Sequence, residues 1–264
     1  MFLKHFLCLT LLLSLSFLAI TSPADDDGTW TYTLDDDEAT ILYCTRCPAD
    51  LIIPDSINGY LVVAIAERAF RYSSHTSVTI PDSVTSIGDA AFSNNSLTSV
   101  TLGKGLTAIG AQAFRFNSIT SLTIPDSVKT IGDSAFFNSG LTSVDLGKGV
   151  TAIGPQAFRT NGIKSVTIPD SVTSIGEFAF SGNALTSLSI GSGVTIIEPQ
   201  AFTYNSLTAV IIPDSVKTIE FAAFLHNSLT SVTLGNSVTR IGKSAFSGMS
   251  ISDISFGQRV TTIE

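Results

Sequence analysis

Few side chains in this sequence have the type and spacing for chemistry. His75 and His226 are its two histidines outside the first few residues, and imidazole is the group best suited to proton transfer near neutral pH. They stand nearly seven turns of a repeat apart, about 33 Å at roughly 4.8 Å per stacked strand, so one subunit cannot bring them into one site. Gly242-Lys243-Ser244 has the end of a phosphate-cradling loop, but that loop needs a glycine five residues before Gly242, and Ser237 stands there. No Gly-x-Ser-x-Gly elbow presents a serine nucleophile. Asp25–Asp27 and Asp35–Glu38 have the charge for calcium but lack the spacing and glycine of a calcium loop. Cys44-Thr45-Arg46-Cys47 has redox spacing without a βαβ pattern around it; a structural disulfide is the first reading, with free thiols or metal and redox duty as alternatives. No catalytic residue, metal or cofactor is expected, and the chain does not read as an enzyme.

What must position any functional side chain is therefore the main question. Apolar residues make up 44% and charged residues 14% of the 264, which excludes a disordered, highly charged chain. The formal charge of −8 excludes nucleic-acid binding through a basic surface. The acidity is local: residues 25–38 hold seven of the 22 acids. Residues 1–24 read as a secretory signal, with Lys4 and His5 ahead of an apolar Phe6–Ile20 and small residues at Ser22-Pro23-Ala24. The apolar run falls short of the roughly 20 residues that span a bilayer, so no membrane span is expected once it is removed. That leaves Cys44 and Cys47 in an oxidising compartment.

The remainder is a repeat. Phe70, Phe92, Phe114, Phe136, Phe158, Phe180, Phe202, Phe224 and Phe246 follow one another at intervals of 22, each preceded by Ala. Isoleucine keeps the same step from Ile65 to Ile263, as does a Val/Leu file from Val84 to Val260. One such unit cannot bury its own apolar face, so a fixed period of this length implies stacked coils. Within a unit, Leu97–Leu102 ends in strand alternation, a Pro-Asp or Gly-x turn follows, and Val84–Ile87 is a second short extended piece. Asp89–Phe92 reads as a brief helical turn, its first position being Asp, Glu or Pro in several units. Asn95, Asn117, Asn161, Asn183, Asn205 and Asn227 read as an inward ladder satisfying turn backbone groups. A second period of 44 lies over the first. Pro81, Pro125, Pro169 and Pro213 alternate with Gly103, Gly147, Gly191 and Gly235, and Gly257 breaks the alternation where a proline was due.

These residues, above all Leu97–Asn117 (LTSVTLGKGLTAIGAQAFRFN), resemble the BspA-type leucine-rich repeat proteins of bacterial surfaces. The resemblance covers about residues 51–264. It implies a curved extracellular β-rich solenoid of the α/β leucine-rich repeat type, about ten coils long, of the kind used in several relatives for adhesion to proteins or cells. Two departures are a period of 22 rather than 23 and Asn where that pattern often has Cys. The expected organisation is a signal peptide at 1–24, an acidic tail and β-hairpin cap at 25–50, and a solenoid at 51–264. Its last coil has no polar capping sequence, so the chain reads as truncated or uncapped there.

Two surfaces compete for a ligand. The edge just after each Phe carries Arg71-Tyr72, Arg115-Phe116, Arg159-Thr160 and Thr203-Tyr204 on alternate coils, side-chain types that dominate interface energetics. The strand face carries Ser99/Thr101, Ser121/Thr123 and Ser165/Thr167, interrupted by Asp145 and Ile211, a broad polar surface suited to glycans or weak multivalent contact. The expected function is extracellular or cell-surface recognition and adhesion toward an unidentified protein or glycan. The alternatives are a mainly structural component of a larger surface protein and, further off, ice binding by the Ser/Thr ladder, which a curved face fits poorly.

Overall fold

The computed structural model describes Ile20–Pro23 and residues 29–264. The expected signal segment lies outside the described residues apart from Ile20–Pro23, and Asp25–Asp27 lie outside them entirely. Strand β1 (Ile20–Pro23) runs antiparallel to β2 (Thr29–Asp35). Strand β2 in turn pairs with β3 (Glu38–Thr45) through a two-residue turn in which Asp36 and Asp37 both have positive φ. That is the left-handed turn whose twist matches a tight hairpin. The hairpin buries Trp30 and Tyr32, and Trp30 meets Phe70 edge-on at 6.2 Å. Strands β4 (Asp50–Ile52), β5 (Ser56–Ile57) and β6 (Tyr60–Ile65) open the coils, and β3 lies parallel to β6.

From there the chain is a solenoid whose strands pair in parallel with a register of 22 residues. Three-residue strands such as Ser77–Thr79, Ser99–Thr101 and Ser121–Thr123 form one side of each coil. Two-residue strands such as Ser86–Ile87, Ala108–Ile109 and Thr130–Ile131 form a second, parallel ladder. Inside, the phenylalanines from Phe70 to Phe246 form a continuous stack, centroids 5.2–5.7 Å apart and planes within 12° of parallel. Phe70 through Phe224 are fully buried.

The asparagine ladder forms as expected. Asn117 Nδ2 donates to the carbonyls of Phe92 and Phe114 at 3.0 and 2.9 Å, and its Oδ1 accepts the Leu97 N–H at 3.1 Å. One side chain thus serves three backbone groups of two coils. The gap at position 139, where Ser replaces Asn, is covered from both sides. Ser139 Oγ donates to the Phe114 carbonyl, and Asn161 Oδ1 accepts the N–H groups of both Ser139 and Leu141.

The helical turn does not form. Around Phe114, Gln112 and Phe116 have φ of 57° and 54°, and the same two positions are left-handed in every regular coil. The N–H groups of Gln112, Phe114 and Phe116 leave the coil and donate to Asp133, Ala135 and Phe137 of the next, at 2.7–3.0 Å. Only the intervening Ala113 and Arg115 close locally, onto Gly110 and Gln112. Alternate amides directed along the stack cannot also make the i→i−4 bonds of a helix. The result is a third inter-coil ladder.

The two-coil period has a physical basis. A Cβ at Gly103 would strike the Pro81 carbonyl, and the same contact recurs at Gly147 on Pro125, Gly191 on Pro169 and Gly235 on Pro213. Each glycine coil therefore sits down on the proline coil before it. Asp82 Oδ1 accepts the Lys104 N–H at 2.6 Å, Asp126 that of Lys148, Asp170 that of Ser192 and Asp214 that of Asn236. A proline coil following a glycine coil has no bare Cα for such an approach, and Lys104, Lys148 and Ser192 offer no carboxylate where the proline coils have Asp. The three-residue ladder duly opens between Thr101 and Ser121, between Asp145 and Ser165 and between Ser189 and Ala209. Strands just before an opening leave Val100, Val144 and Leu188 half-buried, whereas Leu122, Val166 and Val210 are buried. Where Gly257 replaces the due proline, Ser231–Thr233 and Asp253–Ser255 stay paired.

Candidate ligand-binding surfaces

The edge stripe is more tightly built than its sequence shows. The Arg71 guanidinium lies 4.7 Å over the Tyr72 ring and donates from Nη2 to the Tyr72 hydroxyl at 3.2 Å. Arg115 lies 4.4 Å over Phe116 and 5.0 Å over Phe137 of the next coil. Arg159 lies 4.7 Å over Phe178 and 6.0 Å from Phe137 on its other side. The order Phe116, Arg115, Phe137, Arg159, Phe178 is thus one alternating stack of rings and cations. Each such contact contributes about 0.5–1 kcal/mol at an exposed site. Gln112 and Gln156, which share the 44-residue step, accept from Nη1 of Arg115 and Arg159 at 3.4 and 3.2 Å. Further along, Tyr204 stacks on His226 at 4.3 Å and has no arginine, since Thr203 occupies that place.

Phe137, Phe178 and His226 escape a reading confined to alternate coils, because all three stand in coils of the other parity. Phe137 was traceable: it falls in the same 22-residue file as Arg115 and Arg159. Among the described residues the ion pairs are Arg68–Glu67, Arg240–Glu220 and Arg240–Glu264, so none of the three stripe arginines has a carboxylate partner.

The strand face brings its serines and threonines into two parallel rows. Ser121 registers with Ser143, and Thr123 with Asp145; Ser165 registers with Ser187, and Thr167 with Ser189. Ser99, Thr101, Ser121, Thr123, Asp145, Ser165 and Thr167 are all exposed. Ile52 and Ile211 interrupt the second row, the latter 71% exposed. A shallow cleft of about 830 Å³ lies across the opening between Thr101 and Ser121, edged by Lys104, Asp126, Asp145 and Lys148. Not every hydroxyl is free for a ligand. Thr85, Thr107, Thr151, Thr173, Thr239 and Thr261 each donate to a carbonyl of the preceding coil and belong to the scaffold.

The remaining titratable candidates are scattered. His75 is buried, with Nδ1 2.9 Å from the Pro48 carbonyl and its ring edge-on to Phe70; desolvation lowers its pKa. Ser77 and then Thr76, as donors, hold Asp50 below the usual carboxylate range, and the Ser192 N–H and hydroxyl do the same for Asp170. Glu198 is raised, first by desolvation and then by Glu220 and Glu177. It follows an unbroken run of glycines from Gly88 to Gly176 in its file, which continues as Glu220, Gly242 and Glu264, and a proline follows it in the chain. The second ladder is interrupted there, between Ser174–Ile175 and Ile196–Ile197. Cys44 and Cys47 lie sulfur against sulfur with Cα atoms 5.8 Å apart, a separation a disulfide spans. Among the described residues no group of three or more His, Cys, Asp or Glu side chains could hold a metal ion, and no helix is long and apolar enough to cross a membrane.

Stacked 22-residue coils with a phenylalanine spine and an asparagine ladder define a leucine-rich repeat solenoid. The BspA type leucine rich repeat region matches residues 63–183 and 151–264, in six copies. The chain belongs to this family. It is similar to a leucine rich cell surface protein from Faecalibacterium prausnitzii, at 28% identity and a TM-score of 0.53, over 92% of this chain and 78% of that one. The fold is also that of the pneumococcal vaccine antigen PcpA, at 20% identity and a TM-score of 0.66, over 92% and 71% of the two chains. A leucine-rich repeat protein from Bacteroides ovatus aligns at 19% identity and a TM-score of 0.53, over 91% and 90%. No curated protein matches this sequence.

Proposed function

We propose that the chain is an exported recognition module, acting at the cell surface or outside it, that binds a protein or glycan through the sides of its coils. In this reading residues 1–24 are a cleavable leader, residues 25–50 an acidic tail and hairpin cap, and Cys44–Cys47 a disulfide formed after export. The observation that carries it is the division of labour within each coil. The Phe, Ile and Asn files and the threonine file from Thr85 to Thr261 hold the stack together, while the strand-face hydroxyls and the edge arginines recur at a fixed interval. A rigid repeated display of this kind gains avidity from many weak contacts. Likeness to a protein described as a cell surface protein supports the same setting.

The test is adhesion of beads coated with the full chain to host-cell or extracellular-matrix surfaces, with two paired substitutions. Arg115→Ala with Phe116→Ser addresses the edge; Ser121→Lys with Thr123→Lys addresses the strand face. Loss of adhesion in one pair, measured at a temperature where that pair is still fully folded, assigns the surface. Adhesion unaffected by either pair rejects both surfaces, and no adhesion by the unaltered protein rejects the reading.

A further inference from the structure

Resting on that recognition role, we infer that the arginine edge binds a linear polysaccharide carrying a carboxylate on every second sugar. Three observations lead there. First, the guanidinium groups are already in place. Arg115 and Arg159 are each laid against aromatic rings and tied through Nη1 to a glutamine, and Arg115 Nε is buried with no hydrogen-bond partner, so both half-buried guanidinium groups keep donors uncommitted. A cation held this way loses little side-chain freedom when it takes up an anion, and its planar donors match a carboxylate.

Second, these cations lack carboxylate partners on a protein with an excess of acid. Acids nearby on the same edge are engaged elsewhere: Glu67 pairs with Arg68, and Asp89 Oδ1 accepts the Ala111 N–H at 2.7 Å. Asp133 and Glu177 form no ion pair with the stripe. An unpaired guanidinium repeated three times needs an anion from outside to complete it.

Third, the interval selects the polymer. Arg71, Arg115 and Arg159 are each two coils apart, about 10 Å at the parallel-strand spacing. Two linked sugar rings cover a similar length, so a chain with one acid per disaccharide can meet all three arginines in register. An extended acidic peptide places same-face side chains about 7 Å apart. It meets Arg71 and Arg159 and misses Arg115 between them. Beside the arginines, the rings of Tyr72 and Phe116 offer apolar surface to the C–H faces of the sugars, and Tyr72 is 65% exposed. Thr160 replaces the aromatic at the third site, so the third contact is the weakest.

The experiment uses the full chain over immobilised hyaluronan, whose carboxylates fall on alternate sugars, beside neutral dextran and polyglutamate. Adhesion of the same samples is measured in parallel. The expected result is hyaluronan binding that weakens with added salt and falls on the order of tenfold or more in Arg115→Gln with Arg159→Gln, assayed well below that variant's melting temperature, which the lost ring contacts lower. Ser121→Lys with Thr123→Lys retains it, dextran does not bind, and polyglutamate binds less well. Undiminished hyaluronan binding by the arginine variant overturns the inference, as does equal binding to polyglutamate, which would point to an acidic peptide or to charge without register. If the protein adheres but ignores hyaluronan, the inference falls and the recognition role stands. If it does neither, both fall.

Discussion

Truncating the phenylalanine spine at its centre tests how the solenoid is held together. Phe158 is fully buried and stacked on Phe136 at 5.4 Å and on Phe180 at 5.2 Å. Phe158→Ala removes a ring from a packed column that the backbone ladders prevent from closing up. A phenylalanine-to-alanine cavity costs about 3–5 kcal/mol, and two stacked contacts at about 0.5–1.5 kcal/mol each place this site at the upper end. The damage also spreads along the stack. Asn161 and Asn183 both bond the Phe158 carbonyl, so the backbone shift that partly fills the cavity strains the coils on either side. Denaturant unfolding gives the loss. Amide hydrogen exchange locates it, which matters because a repeat array need not unfold as one unit. Phe137→Ala, at a half-buried edge position, is the control and is expected to cost about 1 kcal/mol. A Phe158→Ala loss within about 1 kcal/mol of the control, or exchange raised evenly along the chain, would refute the spine as the carrier of stability.

Gly147→Ala is expected to destabilise by about 1–3 kcal/mol through collision of the new methyl with the Pro125 carbonyl; an unchanged unfolding midpoint contradicts the close stacking of each glycine coil. Glu198 is raised above its ordinary pKa, so the native state keeps its proton to higher pH than the unfolded chain does. This group's contribution is therefore lost as pH rises from the usual carboxylate value through the raised one. Melting temperatures measured against pH should fall across that window more steeply in the unaltered protein than in Glu198→Gln, and parallel curves would count against it. Cys44 and Cys47 should be bonded in protein kept under oxidising conditions: its mass without reductant is expected to be lower by two hydrogens, and two alkylatable thiols would be the contrary result.

The sequence made the stack legible because burial in a solenoid repeats with the coil. Phe92, Ile87, Leu97 and Asn117 each recur in a file whose chemistry admits one environment. The hairpin of β2 and β3 was legible from its alternation and acidic turn. The stretch from Asp89 to Phe92 misled because short runs of Ala with an acidic first residue suit a helix equally well. What decides against one is the direction of alternate amides toward a coil 22 residues away, which no local pattern records. The openings of the strand ladder were half-legible: the proline and glycine alternation was plain, but its effect depends on whether a backbone can approach a carbonyl closely. The ring-and-cation stack needed coils of both parities at once. Glu198, where the run of glycines from Gly88 to Gly176 ends, carried no local signal, since only the interrupted ladder gives it meaning.

The openings after Thr101, Asp145 and Ser189 bear on how the molecule responds to force. Hydrogen bonds on this side are grouped into two inner blocks of two coils between outer blocks of three, the last of them kept shut where Gly257 stands. Load applied along the chain concentrates at the openings, where one ladder is missing and the others carry the whole of it. The solenoid should therefore lengthen in discrete steps rather than continuously. Each released block of two coils frees 44 residues of chain, about 150 Å of slack at full extension. A tether built this way would absorb a sudden pull by letting out line one block at a time.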